Sequence, residues 1–207
     1  MFQSRRDFIK NTSIFGLGLG AAALANADEA RGETEFDKNK PSRNGGIVPV
    51  ETPDLKKLPF TVDNGVKVFH LHAQVVEREI IPASSMQPAK KLSAWGYNGS
   101  VPGPMIEVNE GDRIRVIFHN ELPEATTVHW HGLEIPQPMD GVPFMSQPLV
   151  EPGGKFVYEF TLNQHGTFFY HSHGPMQEMM GMIGMFVVHP RIPHAPRVDK
   201  DFAMILQ

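Results

Sequence analysis

The 207-residue chain contains no cysteine. This excludes disulfide bonds and thiolate metal ligands, so nitrogen, oxygen or thioether donors would have to hold any metal. Long hydrophobic runs are also scarce. The apolar run at residues 14–25 holds twelve residues, whereas a membrane-spanning helix needs about 20. The sequence therefore predicts no stable membrane span.

Positive charge is limited as well. The chain has 19 Lys and Arg residues against 23 Asp and Glu residues, which gives a formal net charge of −4. Nucleic-acid binding depends on clustered Lys and Arg that neutralise phosphates, and the sequence has no basic patch of that kind. We therefore expect no nucleic-acid partner.

The first 27 residues are typical of an export signal. Arg5 and Arg6 form a twin-arginine pattern, the apolar run follows, and small residues mark a cleavage site after Ala27. We expect this signal peptide to be removed during twin-arginine export to the periplasm. Its removal takes away three positive charges and one negative charge, which leaves a formal net charge of −6.

The rest of the chain has the pattern of an all-β protein. Residues 28–60 are charged and contain several Pro and Gly residues, which predicts an extended lead-in segment. Short β-type runs then alternate with turn signals, as in a sandwich. The predicted strands lie near residues 66–78, 91–97, 105–108, 112–119, 126–131, 155–162, 167–172 and 182–189.

The length of this β-rich region fits one domain. Residues 61–190 match the size of a single β-sandwich. Residues 191–207 begin as a Pro-rich linker and end in an apolar segment. We interpret that segment as the start of a truncated second domain.

Two His-x-His pairs carry the chemistry of the sequence. They are His129 with His131, and His171 with His173. Because side chains alternate across a strand, both imidazoles of a pair lie on one face. The second pair follows an apolar strand, where histidines need a specific reason to be present. Imidazole suits zinc, copper, iron and nickel, so the pairs predict a metal site.

The other histidines and the methionines give weaker signals. His70 and His72 also form a His-x-His pair, which we interpret as a chance pair on a polar strand face. No spacing ties the remaining histidines to the two pairs, and we expect solvated side chains at His119, His165, His189 and His194. Thioether sulfur could bind cuprous copper, but packing is the favoured role for Met176, Met179, Met180, Met182 and Met185. Trp130 should point away from the histidines and into the core.

Five ordered motifs together resemble a known family. The motifs are Asn98-Gly99-Ser100-Val101-Pro102-Gly103-Pro104-Met105-Ile106, Glu110-Gly111-Asp112, His129-Trp130-His131-Gly132, Met139-Asp140-Gly141-Val142-Pro143 with Gln147, and Tyr170-His171-Ser172-His173. Over about residues 61–190 the chain closely resembles the N-terminal cupredoxin domain of bacterial multicopper oxidases of the laccase-like group.

The resemblance implies a cupredoxin-like Greek-key β-sandwich and a copper cofactor. By this resemblance His129 is a ligand of the type 2 copper, and His131, His171 and His173 are ligands of the type 3 pair. The family builds its three-copper cluster from eight histidines, so this chain supplies half. The other half and the cysteine-containing type 1 site come from a later domain that this sequence lacks. Asp140 resembles the family's acidic residue for proton relay, although an Asp-Gly turn is the structural alternative.

The implied function is that of one part of an oxidase. A multicopper oxidase couples oxidation of a reducing substrate to four-electron reduction of O2 to water, and this chain alone would be catalytically incomplete. A periplasmic copper-binding module without oxidase activity is the alternative. A cupin is disfavoured because the second motif is another His-x-His pair. A structural zinc site is disfavoured because such sites usually contain cysteine.

Overall fold

The structure is a computed structural model that describes residues 47–53, 55–192 and 198–206. The predicted signal peptide lies outside these residues. The strands are β1 (Val50–Glu51), β2 (Phe60–Asp63), β3 (Val66–Ile81), β4 (Lys90–Tyr97), β5 (Gly103–Asn109), β6 (Arg113–Asn120), β7 (Val128–His131), β8 (Lys155–Thr161), β9 (Gly166–Ser172), β10 (Ile183–His189) and β11 (Asp201–Phe202). One 3-10 turn, Gln137–Met139, follows β7.

Two sheets pack face to face. One has the strand order β5-β10-β9-β7, and the other has the order β2-β3-β6-β8, with β4 added beside β3. From β4 to β9 each strand lies in the sheet opposite to the one before it. Two neighbouring pairs, β3 with β6 and β5 with β10, run parallel. The histidine motifs of β7 and β9 therefore share one sheet.

The core lies between the sheets and follows the alternation of the strands. In β3, Phe69, Leu71 and Ala73 are fully buried, while His70 is exposed and His72 is partly exposed. In β7, Trp130 is fully buried, and its ring packs edge-on against the rings of Tyr158 and Phe186. The prediction that Trp130 points into the core is confirmed. Burying such large aromatic side chains contributes several kcal/mol each, about 3–5 kcal/mol on truncation to alanine.

The predicted strands match those observed, with end shifts of a few residues. β2 was not among the predicted strands; it forms a hairpin with the start of β3. Asn64 and Gly65 at its tip have φ values of +49° and +82°. Asn-Gly is the residue pair that two-residue hairpin turns with positive φ favour, so this signal was available.

Short segments at both ends of the described chain meet on the outside of the sandwich. β1 pairs in parallel with β11, and Val50 packs with Met105, Met185 and Val187. Parts of the predicted lead-in and of the predicted truncated domain are therefore in contact. Among the described residues, no helix has the length and hydrophobicity needed to cross a membrane.

Candidate metal centre

The two motif strands are hydrogen-bonded neighbours. β7 pairs with β9 in antiparallel register, which places His129 opposite His171 and His131 opposite Phe169. His129 is partly buried, His131 is exposed and His171 is buried. β7 is the last strand of its sheet. The histidines thus form a wall, defined here as His129, His131, His171 and His173, at one edge of the sandwich.

Contacts from the core fix the position of β7. The backbone N–H of Val128 donates a 3.0 Å hydrogen bond to the hydroxyl of Tyr158, which belongs to the opposite sheet. The buried hydroxyls of Thr126 and Ser172 lie 2.9 Å apart and link the segment before β7 to the end of β9. Both contacts are buried polar pairs, which are costly to break because their groups would lose all partners. A strand of only four residues is thereby held in a defined place.

The ring nitrogens of His129, His131 and His171 converge. Nδ1 of His131 lies 3.3 Å from Nε2 of His171, and one nitrogen of each of His129, His131 and His171 lies within 4.8 Å of the others. His173 follows the end of β9, and its ring centroid is 5.3 Å from that of His129 and 5.7 Å from that of His171. The sequence prediction that the two pairs share one site is consistent with this placement.

Two of the rings are oriented by backbone carbonyls. Nδ1 of His129 donates to the carbonyl of Asp140 at 2.7 Å, and Nδ1 of His171 donates to the carbonyl of Ser172 at 2.8 Å. In both rings Nε2 is then the unprotonated nitrogen that can bind a metal. Metal-binding histidines commonly use their second nitrogen in this way. With imidazole nitrogens and no thiolate, the donor set fits copper.

Electrostatics also favour the neutral imidazole at the centre of the wall. Burial lowers the pKa of His171, and the neighbouring His129 and His131 lower it further. The Ser172 carbonyl and Glu178 act in the opposite direction. One carboxylate oxygen of Glu178 lies 3.2 Å from Nδ1 of His171. Glu178 was not among the site residues predicted from the sequence, although it follows His171 by only seven residues.

Asp140 and Gly141 form a turn that contacts the wall strand directly. One carboxylate oxygen of Asp140 lies 3.4 Å from Nδ1 of His129, in addition to the backbone contact. The side chain of Asp140 is about one-third exposed. Gly141 has a φ of +80°, and a Cβ placed there would lie 1.7 Å from the carbonyl oxygen of Val128. Only glycine permits this approach.

Several expectations for the other side chains are wrong. His189 is buried, and its Nε2 donates to Glu107 at 2.8 Å, so it is not a solvated histidine. Met182 and Met185 are buried as packing predicts. By contrast, three methionines of that run are exposed, namely Met176, Met179 and Met180. His194 lies outside the described residues.

A second histidine cluster occurs on the other sheet. His70 and His72 of β3 meet His119 of β6, with one nitrogen of each ring within 4.8 Å of the others. From the sequence, His70 and His72 were interpreted as a chance pair, and His119 was expected to be a solvated side chain. The parallel pairing of β3 with β6, which places His72 beside His119, brings them together.

Comparisons with known proteins agree with the fold and with copper as the metal. A sequence model described as multicopper oxidase matches residues 81–192. Copper resistance protein A of Pseudomonas syringae pv. tomato is 39% identical over 117 residues, which cover 56% of this chain and 19% of that protein. Laccase-1 of Fomitopsis schrenkii is 40% identical over 136 residues, covering 61% of this chain and 25% of that laccase.

Solved structures give the same result. The multicopper oxidase from Pseudomonas thermotolerans superposes with a TM-score of 0.57 at 40% identity, covering 62% of this chain and 30% of that one. A multicopper oxidase from Campylobacter jejuni, described as a metallo-oxidase, has a TM-score of 0.57 at 33% identity. The match covers 70% of this chain and 31% of that one. The chain thus spans about a fifth to a third of the proteins it resembles. The all-β, cupredoxin-like sandwich is confirmed, and the chain belongs to the multicopper oxidase family.

Proposed function

We propose that this chain is the copper-binding N-terminal domain of a multicopper oxidase and supplies half of a three-copper cluster. The observation that carries the proposal is the register that sets His129 opposite His171 with converging ring nitrogens. In this proposal His129 binds the type 2 copper, while His131, His171 and His173 bind the type 3 pair. Bound copper would take up electrons from the reducing substrate and pass four of them to O2, which is reduced to water.

The residues of the chain would prepare the site before any metal arrives. The carbonyls of Asp140 and Ser172 hold the protons of two imidazoles on Nδ1, so each Nε2 is available as a ligand. The ring of Phe169 stacks on His131 with centroids 4.3 Å apart and limits its rotation. Preset ligands lose less conformational entropy when a metal binds.

Asp140 is proposed to relay protons near the type 2 copper. Its carboxylate lies 3.4 Å from Nδ1 of His129 and is partly exposed, so it has access to solvent and to the wall at once. O2 reduction consumes protons, and a carboxylate in this position can take them from water and release them inward. The Asp-Gly turn and the relay are compatible roles for the same residue.

The cell location and the partners complete the proposal. Residues 1–27 would direct twin-arginine export to the periplasm. A further C-terminal domain would contribute the other histidines and the cysteine of the type 1 site. O2 and a reducing substrate, whether a phenol, cuprous ion or manganous ion, would be the reactants of the assembled enzyme.

Copper titration of single-histidine variants tests the wall. We expect His129→Ala, His131→Ala, His171→Ala and His173→Ala each to weaken copper uptake. His165→Ala is a matched control, because its half-exposed imidazole lies outside the wall. Titration with copper and zinc present together separates a copper site from a structural zinc site. Equal copper binding by all five variants would contradict the ligand assignment.

Oxygen consumption with a phenolic donor distinguishes the oxidase from the alternative of a copper-binding module. We expect the copper-loaded chain alone to show no sustained turnover, because half of the ligands and the type 1 site are missing. A longer chain that includes the C-terminal domain should be active. If the longer, copper-loaded chain is also inactive with phenolic, cuprous and manganous donors, the module without oxidase activity is the better interpretation.

A further inference from the structure

The cluster of His70, His72 and His119 lies on the outer face of the sheet that does not carry the wall. His70 and His72 point outward from β3, since the residues between and beside them, Phe69, Leu71 and Ala73, are buried. His119 points outward from β6, and parallel pairing sets it beside His72. The rings of His72 and His119 are stacked, with their centroids 4.3 Å apart. The ring centroid of His70 lies 5.7 Å from that of His119.

We propose that His70, His72 and His119 form a second metal site, which binds a divalent transition-metal ion, Cu²⁺ or Zn²⁺, through three imidazoles. One nitrogen from each ring lies within 4.8 Å of the others. Two imidazoles on one ion lie about 3.4 Å apart at a tetrahedral angle with metal–nitrogen distances of about 2.1 Å. Small side-chain rotations on this outer face bring the three nitrogens to that spacing. Three imidazoles suit either ion, and Cu²⁺ has the higher affinity for such a site.

A carboxylate orients one of these rings. Oε1 of Glu121 lies 2.6 Å from Nδ1 of His72, and its Oε2 accepts a 2.7 Å hydrogen bond from Gln74. This arrangement places the proton of His72 on Nδ1 and leaves Nε2 for a metal. A carboxylate behind a histidine ligand is a recurrent feature of metal sites, where it orients the ring and raises its basicity.

His119 supplies a polar atom that has no partner. Its Nε2 is buried and makes no hydrogen bond among the described residues. A buried polar atom without a partner costs about 1–3 kcal/mol, and a bound metal would remove that cost. This observation is independent of the spacing of the three rings.

The backbone beneath the cluster is rigid. Between its pairing with β2 and its pairing with β4, β3 is bridged by Asn98. The side-chain oxygen of Asn98 accepts from the N–H of His72, its side-chain amide donates to the carbonyl of His70, and its own N–H donates to the carbonyl of His72. Ligands mounted on a fixed backbone lose less freedom on binding.

One nearby charge opposes a cation. Lys155 of β8 pairs directly with His119 across the sheet. Glu121 offsets this charge on the other side. Neutralising Lys155 should therefore raise the affinity of the site for a metal cation, and neutralising Glu121 should lower it. Neither change removes one of the three imidazoles.

Zinc and copper titrations of the 207-residue chain by calorimetry test the proposal. We expect the double variant His70→Ala/His72→Ala to bind one equivalent fewer than the native chain. His119→Gln should do the same. The control His165→Ala should retain the native number. Unchanged stoichiometry and affinity in His70→Ala/His72→Ala would overturn the site.

Two further variants make the test independent of folding defects. Glu121→Gln should lower the affinity of this site by about tenfold or more, and Lys155→Gln should raise it. The wall residues are untouched in all of these variants, so a failure here leaves the proposed function unaffected. If neither Glu121→Gln nor Lys155→Gln shifts the affinity, the cluster is not a metal site.

Discussion

Replacing Gly141 by alanine should damage both the stability of the domain and its copper binding. At φ +80° an L-residue costs about 1–2 kcal/mol relative to glycine. The new Cβ would also lie 1.7 Å from the carbonyl oxygen of Val128 and 2.9 Å from Cα of His129, both backbone atoms of β7. A carbon–oxygen contact normally needs about 3.3 Å. The turn and the strand must therefore separate, with an overpacking cost of about 1–3 kcal/mol.

Gly153→Ala is the matched control for this variant. Gly153 has nearly the same φ, +77°, but a Cβ there would meet no atom within 4 Å. The control therefore includes the conformational cost without the clash. We expect the free energy of unfolding to fall by about 1–2 kcal/mol in Gly153→Ala and by about 3 kcal/mol in Gly141→Ala.

Urea unfolding of the copper-free chain measures the difference between the two variants. Copper titration then measures how each substitution changes copper binding by the wall. Because separation of the turn removes the Asp140 carbonyl from His129, Gly141→Ala should bind copper at least about tenfold more weakly. Gly153→Ala should bind copper as the native chain does. Equal loss of stability in both variants, with native copper affinity in Gly141→Ala, would refute the close packing of this turn on β7.

Three other predictions concern acid stability, a buried hydroxyl and colour. Burial alone raises the pKa of Glu107, but hydrogen bonds from His189, Lys57 and the Val50 N–H outweigh it and lower the pKa to about 2. The ionised carboxylate therefore stabilises the fold above pH about 4.5, and this stabilisation is lost as the pH falls toward 2. Its contribution to the free energy of unfolding is about 2 kcal/mol after allowance for solvent screening. When the free energy of unfolding is measured between pH 4.5 and 2, it should fall less in Glu107→Gln than in the native chain. Tyr170→Phe removes a buried 2.7 Å hydrogen bond to the Pro104 carbonyl and should cost about 1–3 kcal/mol in urea unfolding; no loss would contradict that bond. The copper-loaded chain should show no intense blue absorption band, because it has no cysteine; such a band would mean that another ligand set binds the copper.

Local patterns in the sequence predicted most of the strands and the face that the wall histidines share. The two-residue period of His129 and His131, and of His171 and His173, is a property of a single strand and needs no knowledge of the fold. The large inward side chains, such as Trp130, follow from the same alternation. Where the sequence pattern is local and periodic, it therefore indicates which face a residue occupies.

Features that depend on pairing between distant strands could not be predicted in this way. His119 lies 47 residues from His72 and becomes its neighbour only through the parallel register of β3 with β6. His189 resembled a solvated residue at a strand end, but its contact with Glu107 comes from the parallel pairing of β10 with β5. Neither register leaves a signal in spacing along the chain.

The parallel pairing of β5 with β10 has a consequence for the speed of folding. The two strands bring Val108 beside Val188, eighty residues later, and β10 is also the strand against which β9 pairs. Closing such a long loop loses chain entropy before any contact compensates for it, and β-sandwiches with distant pairings fold in milliseconds to seconds. In the strand order β5-β10-β9-β7, the wall strand is three places from β5. β7, by contrast, pairs with β9 across a separation of 42 residues, from His129 to His171. Because the shorter loop loses less chain entropy, the loop-closure argument predicts that the histidines come together before β5 joins the sheet.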